Sequence, residues 1–146
     1  MRAVLGLLFA LSMFGQQRTV LIKTGRLLDV RKGSYLENAL ILIEGDRIKA
    51  VGSVTAPANA QVIDLTRSTV LPGLIDCHTH LMMREQPGPD GYLLALATKS
   101  QAFRALEGAA DARITLNAGF TTVRDVENEG SGYADVALRD AINRPG

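Results

Sequence analysis

After residue 18, short β-rich runs alternate with turn residues. Thr19–Lys23, Leu36–Ile43, Arg47–Val51 and Gln61–Leu65 are separated by Thr24-Gly25, Lys32-Gly33, Glu44-Gly45-Asp46 and Ala56-Pro57. This spacing predicts hairpins and a small β-sandwich-like domain over residues 18–68. Glu44-Gly45-Asp46 reads as a turn with two solvated carboxylates rather than a cation-binding loop. The pattern then changes. An apolar stretch predicts a strand over residues 69–81, a loop rich in Pro and Gly covers Met82 to Gly91, and a helix runs from about Tyr92 to Ala118. On that helix Leu96, Phe103, Leu106, Ala110 and Ile114 form one apolar stripe, which reads as core, and Gly119 supplies the C-terminal stop. A strand Phe120–Val126 and a helix Ala134–Asn143 follow. Strand, helix, strand, helix predicts an α/β arrangement with parallel pairing and a right-handed crossover.

Composition removes several functions. The formal net charge is +1, aromatic residues make up 5% and there is no tryptophan, so neither a basic field nor a stacking platform for nucleic acid is present. An apolar fraction of 47% suits a globular fold. The first residues differ from the rest: Arg2, an apolar run from Ala3 to Leu11, then Ser12-Met13-Phe14-Gly15-Gln16-Gln17. A charged start, short apolar core and polar end predict a signal peptide over residues 1–17 and an exported protein, periplasmic or secreted. The run is too short for a stable membrane anchor, and no cysteine follows it to carry a lipid. The single cysteine, Cys77, makes no intramolecular disulfide and reads as a small buried apolar residue.

Candidate chemistry concentrates in Leu71-Pro72-Gly73-Leu74-Ile75-Asp76-Cys77-His78-Thr79-His80, which holds the only two histidines of the sequence. On a strand, residues two apart share a face, so Asp76, His78 and His80 project together while Ile75, Cys77, Thr79 and Leu81 project the other way. Two imidazoles on one face can reach one ion, and neutral imidazole binds zinc and related metals. His78 and His80 are therefore the predicted metal ligands. Asp76 could orient one imidazole or bond to the backbone, and Asp125 could serve the site or form a structural ion pair. No catalytic acid or base is assigned.

These residues carry a resemblance. Leu71 to His80 resembles the opening signature of the amidohydrolase superfamily, metal-dependent hydrolases built on a (β/α)8 barrel. Ala118-Gly119-Phe120-Thr121-Thr122-Val123-Arg124-Asp125-Val126 and Ala137-Leu138-Arg139-Asp140-Ala141-Ile142-Asn143 resemble the second strand and helix of its imidazolonepropionase-like and Xaa-Pro dipeptidase branch. Ile41 to Gly52 is similar to the hairpin of the small β domain that precedes the barrel. The resemblance implies one or two divalent metals, Zn2+ first among them, and water-driven cleavage of C–N bonds in a small amide or dipeptide. It also implies ligands this sequence lacks: a bridging lysine, two more histidines and an aspartate on the last strand.

A (β/α)8 barrel takes about 250 residues, whereas residues 69–146 supply two βα units. The expectation is a truncated amidohydrolase domain whose incomplete barrel leaves the chain inactive by itself, with an open strand edge that leaves room for a homo-oligomer. Two alternatives stand beside it: a truncated, non-catalytic metal- or partner-binding product, and a small β protein with fortuitous motifs.

Overall fold

The computed structural model describes residues 18–144, so the signal-peptide expectation lies outside the described residues. The chain divides into two compact units, Met1–Leu71 and Pro72–Gly146.

In the first unit, β1 (Thr19–Asp29), β2 (Ser34–Glu37), β3 (Leu40–Glu44), β4 (Arg47–Gly52) and β5 (Gln61–Val70) form one five-stranded sheet. It is a single hydrogen-bonded sheet rather than the two facing sheets of a sandwich. β1 organises it: residues 19–23 pair antiparallel with β3, residues 26–29 pair antiparallel with β2, and β5 runs parallel along β1. The predicted break at Thr24-Gly25 is therefore a kink inside a long strand. The register against β5 shifts there, and a side chain on Gly25 would stand 2.3 Å from the Thr66 carbonyl oxygen, so glycine serves a close backbone approach rather than a turn. The predicted run Leu36–Ile43 divides instead. Asn38 takes a left-handed φ of 52°, which asparagine tolerates better than most residues, and its N–H donates to the Gly25 carbonyl at 2.8 Å. One left-handed step thus passes the chain from β2 to β3 beside the kink. Leu27, Ala39 and Ile41 form the core with Ile22, Leu36, Ile43 and Val70 packed on them. The buried Thr24 hydroxyl donates to the Ala39 carbonyl at 2.8 Å.

In the second unit, β6 (Leu74–Thr79) and β7 (Phe120–Asp125) pair in parallel, as the strand and helix order predicts. The strand predicted over residues 69–81 is in fact the end of β5 and then β6, parted at Leu71-Pro72-Gly73 because proline cannot donate to a ladder. The single helix predicted from Tyr92 to Ala118 is likewise two, α1 (Gly91–Thr98) and α2 (Gln101–Asn117). Lys99 is extended, and the Ser100 hydroxyl caps α2 by accepting from the Phe103 N–H at 3.2 Å. α3 (Ala134–Asn143) has its predicted bounds.

Most of the stripe read as core is exposed: Phe103, Leu106, Ala110 and Ile114 face outward and Leu96 is half-buried, whereas α2 buries Arg104 and Gly108. The reason lies in size and hydrogen bonding. A side chain on Gly108 would stand 2.3 Å from Met82 Cε, so this face of the helix presses directly on the chain after β6, and Arg104 is held there by carbonyl acceptors. Cys77 is also exposed rather than buried, because the face of β6 that it shares with the exposed Ile75 is open.

Candidate metal centre

The site grows from the C-terminal end of β6. His78 is the penultimate residue of that strand and His80 lies one residue past its end. Their Nε2 atoms stand 3.3 Å apart, with ring centroids 5.2 Å apart. That separation has a chemical meaning: two Zn–N bonds of roughly 2.0–2.1 Å at a tetrahedral angle put the two nitrogens about 3.3 Å apart. The predicted ligand pair is brought together with the spacing that one shared ion requires.

Neighbouring groups fix the histidines. Asp76 Oδ1 accepts from the His78 backbone N–H at 3.0 Å, so of its two predicted roles it takes the backbone one. Asp125, at the end of β7, reaches across to β6: its Oδ1 accepts from the Leu81 N–H at 2.9 Å and from the Thr79 hydroxyl at 3.4 Å. Asp125 thereby ties the turn that carries His80 to the neighbouring strand end. Burial raises its pKa above the usual carboxylate value, against the lowering effect of the Leu81 and Thr79 donors, and its Oδ2 is buried without a hydrogen-bond partner among the described residues.

The residues that sequence reasoning missed lie after β7. Glu129, whose side chain is 7% exposed, places Oε1 2.7 Å from His80 Nδ1, a contact made off the line of a well-aligned hydrogen bond. Its other oxygen accepts from the Tyr92 hydroxyl at 2.8 Å, and that bond raises the Tyr92 pKa because the phenolate would face a carboxylate. Arg104, 2% exposed, donates through Nη1 to the Glu129 carbonyl and through Nη2 to the Ala95 carbonyl at 2.9 Å. One buried guanidinium thus clamps the loop after β7 to the last turns of α1. A signal for this loop existed in the sequence: Glu127-Asn128-Glu129-Gly130 follows a strand directly, in the class of βα loop that builds the active face of α/β barrels.

His80, Glu127 and Glu129 also offer ligand atoms within 4.8 Å of one another, a set able to hold a metal ion. Distances separate the two options. Two ligands of one tetrahedral zinc sit about 3.3 Å apart, which matches the Nε2 pair, whereas Nδ1 and Oε1 stand closer, at 2.7 Å. Of the two groups, the pair His78 Nε2 and His80 Nε2 has the separation of tetrahedral zinc ligands.

The family model described as "Amidohydrolase family" matches residues 69–145. The chain belongs to the amidohydrolase family. A dihydroorotase from Staphylococcus epidermidis is 34% identical over 110 residues, 74% of this chain and 21% of that protein. A 5'-deoxyadenosine deaminase from Methanothrix thermoacetophila is 46% identical over 54 residues, 37% of this chain and 13% of that protein. Among solved structures, a Xaa-Pro dipeptidase with bound methionine in its active site superposes with a TM-score of 0.70 at 32% identity, covering 86% of this chain and 30% of that one. The amidohydrolase chain described here therefore spans between an eighth and a third of the lengths of these relatives. Its fold is mixed α/β, similar to that of amidohydrolase barrels.

Proposed function

We propose that the protein is the N-terminal part of an exported metal-dependent amidohydrolase that cleaves C–N bonds of small amides or dipeptides, Xaa-Pro dipeptides foremost. The observation that carries the reading is the 3.3 Å approach of the two Nε2 atoms at the end of β6. The likeness to a Xaa-Pro dipeptidase over 86% of the chain favours the dipeptide substrate, and the Arg2-led apolar run favours export.

His78 and His80 would hold the ion through Nε2. A bound divalent ion supplies an activated water and a polarised carbonyl, the chemistry that hydrolysis at neutral pH needs. The chain's own residues do the rest: β6 presents both rings on one side, Asp76 and Asp125 fix the backbone on either side of them, and Glu129 contacts the far nitrogen of His80. Catalytic zinc normally takes three protein ligands. Residues 1–146 contain two histidines, so by themselves they bind zinc weakly and turn nothing over.

The test uses the protein in the length its cell makes, zinc-loaded and assayed with Xaa-Pro dipeptides and simple N-acyl amides. Turnover should fall at least about 1,000-fold in His78→Ala and in His80→Ala, as expected when a first ligand is lost. Full activity in both variants would refute the metal reading. No turnover of any C–N substrate by the wild type would refute the substrate reading.

A further inference from the structure

We infer that Glu129 is a positioning residue for His80: it draws the imidazole proton to Nδ1 and thereby leaves the Nε2 lone pair free for an ion. The inference rests on the metal reading above and goes beyond it by assigning the group that sets the ligand's tautomer.

Four observations carry it. His80 Nδ1 is a buried atom, and Glu129 Oε1 stands 2.7 Å from it, within hydrogen-bond distance though off the line of a well-aligned bond. A buried ring N–H without an acceptor costs about 1–3 kcal/mol, and a carboxylate accepts only, so the proton belongs on Nδ1. The second carboxylate oxygen is occupied by the Tyr92 hydroxyl at 2.8 Å, which fixes the rotation of the carboxylate and leaves Oε1 for His80. Glu129 also adopts a left-handed φ of 53°. That conformation is unfavourable for a residue with a Cβ, and it persists where surrounding contacts over-determine it. Arg104 supplies such a contact by donating to the Glu129 carbonyl from a buried position. Tyr92 of α1 thus holds the carboxylate and Arg104 of α2 holds the backbone carbonyl of the same loop residue, whose free carboxylate oxygen meets the histidine. Metal-ligating histidines commonly donate their other N–H to a carboxylate, and loss of that partner typically costs 10–100-fold in metal affinity.

The experiment uses the protein in the length its cell makes and measures zinc affinity by competition with a chromophoric chelator for the wild type, Glu129→Gln, Glu129→Ala, Tyr92→Phe and His80→Ala, together with the His80 tautomer by long-range 1H–15N NMR on the metal-free protein. The expected results are a Nδ1–H tautomer in the wild type and a 10–100-fold loss of zinc affinity in Glu129→Ala. Glu129→Gln, which keeps an acceptor oxygen, should lose less, and Tyr92→Phe should lose a few-fold. A Nε2–H tautomer in the wild type would overturn the inference. So would zinc affinity within twofold of wild type in both Glu129 variants while His80→Ala loses it, a result that leaves the metal reading standing. Unchanged zinc affinity in His80→Ala would instead remove the metal reading itself. Should Glu129→Ala not fold, the isosteric Glu129→Gln and the wild-type tautomer still decide.

Discussion

Replacing Arg104 with methionine tests the framework of the site. The guanidinium is buried and donates to two carbonyls, those of Glu129 and Ala95. Two opposing effects have to be weighed. Removing a buried charge releases a desolvation penalty, and this can make loss of a buried ionic group neutral when both partners are replaced by apolar groups. Here the partners are backbone and stay behind. The Ala95 carbonyl keeps the Lys99 N–H at 3.2 Å, so the Glu129 carbonyl is the acceptor left orphaned, at a cost of about 1–3 kcal/mol, while methionine fills most of the vacated volume and adds little cavity cost. The expected net loss is about 1–3 kcal/mol, with Arg104→Lys intermediate because an ammonium lacks the fixed fork that spans both acceptors. The chain has no tryptophan, so urea unfolding is followed by far-UV circular dichroism. A loss below about 0.5 kcal/mol in Arg104→Met, the range of ordinary surface substitutions, would refute the view that this side chain clamps the loop after β7.

Three further outcomes are expected. Gly108→Ala should lower Tm, since an added methyl 2.3 Å from the nearly fully buried Met82 costs about 1–3 kcal/mol in overpacking against the roughly 1 kcal/mol that alanine returns in a helix; a raised Tm would contradict the close packing. The raised pKa of Asp125 means that its contribution to stability is fully present below the unfolded value of 3.8 and is lost as pH rises through the higher folded value. Asp125→Asn should therefore flatten the fall of Tm with pH just above 3.8, and an unchanged slope would sink that assignment. Export predicts a mature N-terminus between about Met13 and Arg18 by N-terminal sequencing of fractionated cells, and a cytoplasmic product retaining Met1 would exclude it.

The histidine pair was legible because a strand's period of two is a local rule: two side chains two residues apart share a face whatever the rest of the molecule does. The parallel β6–β7 pair and the bounds of α3 followed from similarly local patterns. Features that depend on long-range approach were not legible. Gly25 looks like a turn residue in sequence, yet its role is set by the Thr66 carbonyl of a distant strand. Ser100 sits inside a continuous helical pattern, and its cap appears only once Lys99 is extended and paired with Glu107 at 2.7 Å. The burial of Arg104 runs against every expectation for a charged residue on a helix, and it becomes intelligible only with the Glu129 and Ala95 carbonyls in place. Glu129 was missed for the same reason: nothing local connects a glutamate in the loop after β7 to a histidine just past the end of β6.

The most direct test of the central claim is anomalous diffraction at the zinc edge from zinc-soaked crystals of the protein in the length its cell makes. The account predicts a single strong peak about 2.0–2.1 Å from both His78 Nε2 and His80 Nε2, with Glu129 remaining on Nδ1. A peak seated between His80 Nδ1, Glu127 and Glu129, with the Nε2 pair empty, would contradict it.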